Sequence, residues 1–444
     1  MSDDVLIIGG GFAGLAAGVA LAKAGRPVRL LEQKPHLGGR ARSFADPATG
    51  AIVDNGQHLL MGCYHSTLEF LKEIGTLDSI VLQPNLRVHF VEPGGKLTTL
   101  RCPNLASPWH LLVGVLRSNS FSWSEKIQIA RLGSVLHGKG KPDGGAGQFT
   151  VEEWLTGLGQ SERVRRHFWD LISIAALNED PRRAAAEIFA RVLRLALFTS
   201  PADSCLGIPR RGLSDCYTDA ARAYIESHSG RVETGRSIKA LSINQGVCDG
   251  VLLPDGEKIE AATIVSAVPW FELVRLVPGE LLRSEPYFTN ILALRPAPIV
   301  SINLWFDRPI TDLDSVGLRG TTVQWLFNRS RIPGAGENAI ALVLSGAHEH
   351  MSRSKEELLA VAIGDLAELF PESRAAKVVH SLIIKERFAT FSPCVGVDQL
   401  RPAAKSPVRG LYLAGDWTAT GLPATIEGAV QSAYTAVQAV LQAD

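Results

Sequence analysis

The chain has 444 residues, 46% hydrophobic and 20% charged, with a mean hydropathy of +0.10. That composition can bury enough apolar surface to offset ordering entropy, which excludes a disordered chain. Lys and Arg total 45, as do Asp and Glu, so the basic excess of a nucleic-acid binder is missing and no such partner is expected. Six cysteines (Cys63, Cys102, Cys205, Cys216, Cys248, Cys394) lie far apart with no CxxC pair, so neither a disulfide framework nor a metal site is expected.

Met1–Asp4 is acidic and runs straight into an apolar stretch, so no signal peptide is expected. No apolar run reaches the roughly 18 residues of a membrane-spanning helix. A cytoplasmic chain is the expectation. Val5-Leu6-Ile7-Ile8 reads as a parallel strand buried on both faces. Gly9-Gly10-Gly11-Phe12-Ala13-Gly14 follows, then a helical stretch over 15–24, a second strand at Val28–Leu31, and Glu32. Gly9 permits the tight turn, Gly11 lets the backbone approach a pyrophosphate, and Gly14 lets helix and strand pack closely. The helix N-terminus offers free N–H groups, at Phe12 and Ala13, to the same anion. Glu32 and the adjacent Gln33 stand where a ribose hydroxyl pair would sit, so this unit predicts dinucleotide binding.

Gly38-Gly39-Arg40-Ala41-Arg42 comes next. Arg40 can meet a diphosphate while the glycines let the chain pass beside it, an arrangement for which an NAD site has no need. At this point the sequence resembles the amine-oxidase and carotenoid-desaturase superfamily of FAD proteins. Val53-Asp54-Asn55-Gly56-Gln57-His58 is similar to that superfamily's segment beside the flavin ring. Gly230 to Ile238 resembles the strand pair whose apolar residue, here Ile238, lies near the adenine, and Ile264 to Pro269 the strand that closes the insertion. Leu411 to Asp416 resembles the turn near the ribityl chain, which implies roles for Gly415 and Asp416. Pro423 to Ala429 opens the last helix, with Ala424, Thr425 and Ile426 at the flavin pyrimidine.

The resemblance implies an α/β fold with a Rossmann-like FAD-binding domain built from 1–84, 205–270 and 396–444. The intervening 85–204 and 271–395 would form a discontinuous, mixed sheet-and-helix substrate domain. Residues 105–138 and 151–200 have helical periodicity, whereas 299–306 and 322–327 read as strands. Lys139 to Gly147 is polar and Gly-rich, the composition of a mobile loop. Glu187 to Leu197 and Leu105 to Leu116 are apolar around most of a helix. Each could pack on the protein's own core, line a lipid tunnel, or rest peripherally on the inner face of the cell membrane.

Gln57 and His58 are the candidate catalytic residues. Histidine's ordinary pKa, near 6.5, suits a general acid. Tyr64, Trp305, Trp325, Phe327 and Trp417 are candidate walls of an apolar substrate cavity, where aromatic faces could stabilise a developing cation. Three segments, Asp54 to Tyr64, Leu171 to Phe189 and Ile208 to Tyr217, narrow the resemblance to the squalene-associated FAD-dependent desaturases, the hydroxysqualene dehydroxylases of hopanoid synthesis. Asn178-Glu179-Asp180 departs from that family's pattern. Membership implies a hydrophobic triterpenoid substrate, an external electron donor, and reductive removal of an allylic hydroxyl by hydride from reduced flavin. The alternatives are a carotenoid-type desaturase or isomerase, an amine oxidase with flavin attached covalently through Cys394, and a non-catalytic lipid-binding escort protein.

Overall fold

Val5–Ile8 is four aliphatic residues, all buried, as a strand covered on both faces requires. It is the middle strand of an all-parallel sheet in the order Arg231–Thr234, Val28–Glu32, Val5–Ile8, Thr263–Ser266, Leu411–Leu413. The helix Phe12–Lys23 leaves that strand and packs against the last helix, Ile426–Leu441, and against Thr218–Ser227. The computed structural model describes residues 4–137 and 145–443. Most of the expected loop at Lys139–Gly147 therefore lies outside the described residues.

A second sheet has seven strands, ordered Val378–Phe391, Pro296–Phe306, Ala339–Ser345, Trp325–Asn328, Ser315–Leu318, Arg87–Glu92, Lys96–Arg101. Neighbours run antiparallel except Ser315–Leu318 and Arg87–Glu92. Side chains alternate between faces. Val300, Ile302 and Leu304 pack with Leu358, Ala362 and Leu366 of the helix Lys355–Leu369. Ile299, Trp325, Phe327 and Val343 instead border a cavity. The strand expected over 322–327 begins only at Trp325, because the Val323 N–H donates to Asp365 Oδ2 at 2.8 Å and leaves the ladder.

The helical stretches resolve into Trp109–Arg117, Trp123–His137, Val151–Gly157, and two runs over 162–177 and 186–198. The last two are separated where Asn178, at φ 54, ends its helix in a left-handed cap. Ile188, Phe189, Ala190 and Leu193 are buried in the main core, so internal packing accounts for the first part of the apolar stretch Glu187–Leu197, while Leu195 is exposed. No helix among the described residues is long and apolar enough to cross a membrane.

Candidate active site

The first turn is set by contacts that only glycine allows. Gly9 has φ +104°, and a Cβ on Gly14 would fall 1.8 Å from the Gly9 carbonyl oxygen. Gly14 thus seats the helix on the strand, the packing role expected of it, and is the one residue of the expected cofactor set that does not line the cavity. Gly11 differs: a Cβ there would meet nothing closer than 3.9 Å. Its open side, with Phe12 and Ala13, forms cavity wall at the start of the helix.

Glu32 accepts from the Gly10 N–H at 2.7 Å and the Lys34 N–H at 2.8 Å, so its carboxylate staples the second strand to the glycine turn. The Gly38–Arg42 loop is held by Tyr217. Its ring stacks on Phe12 with centroids 3.7 Å apart, and its hydroxyl lies 3.0 Å from the Gly38 carbonyl and 2.8 Å from that of Ala41. Arg40 donates to the Ala389 carbonyl at 2.9 Å and to Asp416 Oδ1 at 2.6 Å. The two residues expected to meet a diphosphate and a hydroxyl are thus paired with each other at the cavity wall. Asp54 is likewise anchored, accepting from Ser43 Oγ at 2.6 Å and the Leu213 N–H at 3.0 Å and pairing with Arg329.

One cavity of about 1620 Å³ runs from the glycine turn, past the Asn55–His58 segment and the start of the last helix, to the helices around Trp109 and Phe198. A site for one drug-sized ligand spans roughly 300–1,000 Å³. This volume therefore has room for a cofactor and a second molecule. Every expected cofactor residue other than Gly14 lines it. At the last helix Thr425 Oγ accepts from the Gly428 N–H at 3.0 Å. Glu427 accepts from the N–H groups of Ser66 and Thr67, both at 2.9 Å, and fixes that end against the helix His65–Glu73.

Gln57 Nε2 and His58 Nε2 are buried with no hydrogen-bond partner among the described residues. Two such atoms on a cavity wall, a glycine with open space at its α-carbon and the free N–H groups of a helix start together fit a bound dinucleotide such as FAD. Burial pushes the His58 imidazole below its ordinary value; the Asp54 carboxylate opposes this and Arg40 adds to it. His58 is consequently neutral at pH 7 and cannot already hold the proton that a general acid delivers.

Tyr64, Trp325 and Phe327 line the cavity as expected. Trp417 is fully buried, its indole N–H donating to the Val268 carbonyl at 3.0 Å, and it backs the wall at Gly415. Trp305 is off the cavity. It shares a strand face with Ile299 but sits six residues on, about 20 Å along the strand. There it packs with Ala51, Val53 and Ala339 and donates to the Ala335 carbonyl at 2.8 Å. Cys394 does not reach the wall; Cys63 does, and burial, with Asp203 and Glu427 nearby, pushes its thiol up to about 12.

Asn178, Ser345 and Glu386 are among the polar wall residues that were not anticipated. Ser345 Oγ donates to Asn178 Oδ1 at 2.9 Å. The Glu386 side chain has no hydrogen bond or ion pair among the described residues, and its backbone lies beside Ile299 in the ladder. In sequence it belongs to Lys385-Glu386-Arg387, a charge run that reads as a solvated edge. Glu179, next to Asn178, is fully buried, accepting from Ser392 Oγ and lying 3.0 Å from His348 Nε2.

The family profile described as flavin containing amine oxidoreductase matches residues 12–441. Hydroxysqualene dehydroxylase of Rhodopseudomonas palustris is 29% identical over 452 residues, covering 100% of this chain and 99% of that protein. The chloroplastic/chromoplastic 15-cis-phytoene desaturase of Solanum lycopersicum is 26% identical, covering 99% of this chain and 78% of that one. Among solved structures, an oxidoreductase from Methanosarcina mazei superposes with a TM-score of 0.76 at 18% identity, covering 99% of this chain and 100% of that one. The chain belongs to the flavin-containing amine oxidoreductases and is an FAD-dependent oxidoreductase.

Proposed function

We propose that the protein removes the hydroxyl of hydroxysqualene reductively, giving squalene and water. Bound FAD, reduced by an external two-electron donor, supplies the hydride. The observation that carries this reading is the continuous cavity, roomy enough for two ligands and walled on its far side largely by aliphatic and aromatic residues. The full-length relative from Rhodopseudomonas palustris supports the choice of substrate.

Loss of an allylic hydroxyl as water leaves a delocalised cation, which water would recapture. A wall of Ile172, Ala176, Leu197, Phe198, Ile299 and Val343 keeps water from that centre. Trp325 and Phe327 lie on the same side, where their ring faces can stabilise positive charge. Gln57 and His58 offer the unpaired donors that can hold the substrate oxygen. A proton must still reach that oxygen. Neutral His58 would have to take one up first.

A carotenoid-type desaturase is the second reading, favoured by the phytoene desaturase relative; it would use the same cavity with hydride running from substrate to cofactor. The test is product analysis by mass spectrometry under strictly anaerobic conditions. Dithionite-reduced protein with hydroxysqualene should yield squalene. Oxidised protein that instead introduces double bonds into phytoene, with hydroxysqualene left intact, would replace the first reading by the second.

A further inference from the structure

The end of the cavity remote from the glycine turn opens among helices that leave large apolar side chains in solvent. Trp109 and Leu116 lie one face apart by seven residues on Trp109–Arg117, and Trp123 and Ile127 one turn apart on Trp123–His137. Trp109 is 59% exposed, Trp123 71% and Ile127 53%, with Leu105 and Leu195 also exposed. Of the eight tryptophans in the chain, these two are the exposed ones. Trp109, Leu112, Ala130, Ser134 and His137 also form the cavity wall, so the apolar surface is the rim of the opening.

This platform is braced. Lys126 Nζ donates to the Leu116 carbonyl at 2.7 Å and lies 4.9 Å from the Trp123 ring centre. Arg194 donates to the Leu136 carbonyl at 2.8 Å, and Ser107 to that of Leu197 at 3.3 Å. The exposed indoles are therefore fixed outward. Charge on the two helices is of one sign: Arg117, Lys126 and Arg131 are opposed by Glu125 alone, which is buried and paired with Arg163 at 2.5 Å. Exposed Trp and aliphatic side chains ringed by basic groups with no acidic partner among the described residues match an interface of anionic headgroups over hydrocarbon.

We propose that this face docks on an anionic phospholipid bilayer and that the cavity takes its substrate directly from the hydrocarbon through the opening beside Trp109. The bilayer contact stands on the surface itself; only what the opening delivers rests on the isoprenoid reading above.

The test is co-sedimentation of the FAD-loaded protein with sucrose-filled vesicles of phosphatidylcholine, with and without about one-third phosphatidylglycerol. The variants are Trp123→Asp/Ile127→Asp, at two positions that do not line the cavity, and Arg131→Glu. Wild type should pellet with the anionic vesicles. The double variant should partition at least about tenfold less, and Arg131→Glu about fivefold less, at unchanged flavin content and melting temperature. Two results overturn the proposal: wild type staying in the supernatant with both lipids, or a concentration-dependent dimer that the double variant dissolves, which would make this face a contact between copies. Neither outcome bears on the squalene assay, so the two ideas fail separately.

Discussion

Arg40 Nη2 lies 2.6 Å from Asp416 Oδ1, joining two loops 376 residues apart in the chain. The Asp416 side chain is nearly buried, and that of Arg40 is about one-third exposed. Both border the cavity beside the glycine turn, so the pair fixes the distance between the first and last segments of the cofactor site. Removing either partner leaves the other charge poorly compensated, which costs about 1–3 kcal/mol in partly buried surroundings. Arg40→Ala and Asp416→Ala should each weaken FAD binding about tenfold or more by titration of the apoprotein. The double variant should lose less than the product of the two, because the partners act as a unit.

The glycine turn separates packing from binding. Gly14→Ala drives a methyl group into the Gly9 carbonyl, whereas Gly11→Ala places one in open space on the cavity wall. Gly14→Ala should lower the melting temperature of the apoprotein by several degrees, through overpacking of about 1–3 kcal/mol or more. Gly11→Ala should leave that temperature near wild type and yet lose FAD. Equal melting temperatures for both apoproteins would refute the division.

His58 bears on turnover. His58→Ala should lower kcat about 100-fold or more while changing flavin content far less. Because burial holds the imidazole neutral, wild-type turnover should rise as pH falls from 8 toward 6, and the variant should show a flatter profile. Loss of flavin in proportion to activity would make His58 a cofactor-binding residue instead.

Stability should follow the opposite course. Burial lowers the pKa of His58, His89, His110, His167 and His350. Protons then bind the unfolded chain more readily than the folded one just below pH 6.5, so stability is complete above that value and is lost as pH falls toward the folded-state pKa values. Each histidine contributes a slope of at most about 1.4 kcal/mol per pH unit in that window. Chemical denaturation between pH 7.5 and 5.5 checks the sign. His58→Gln should remove up to one proton from the uptake, and a slope of the reverse sign would contradict the burial argument.

Much of the parallel sheet could be read from the chain, because a short aliphatic run flanked by glycines and a helix has few other solutions. Val5–Ile8 sits where the pattern put it, and Thr263–Ser266 overlaps the start of the segment Ile264–Pro269 that the family resemblance marked as a strand. The polar side of the cavity could not be read this way. Arg40 and Asp416 both look like ligand-binding residues in sequence, and nothing local reveals that they pair. Trp305 follows the same alternation as Ile299, and its distance along the strand, not its type, removes it from the cavity. Glu386 hides in a charge run, Lys385-Glu386-Arg387, whose alternation puts it on the face opposite its two basic neighbours; Trp109 lies in a stretch for which core, tunnel and membrane surface all stayed open, and nothing local marks Trp123 as exposed.

Trp305 supplies a contrast with the aromatics that do line the cavity. Trp305→Phe loses the hydrogen bond to the Ala335 carbonyl and should cost about 1 kcal/mol of stability with kcat/KM unchanged. Trp325→Ala should raise KM for the long isoprenoid several-fold, since that ring is part of the wall.

The most direct test of the account is a single anaerobic turnover followed at 450 nm. Protein reduced stoichiometrically and mixed with hydroxysqualene should regain the absorbance of oxidised flavin while forming one squalene per flavin. Absorbance that stays bleached over an unconsumed alcohol, in protein shown to bind the substrate, would contradict it.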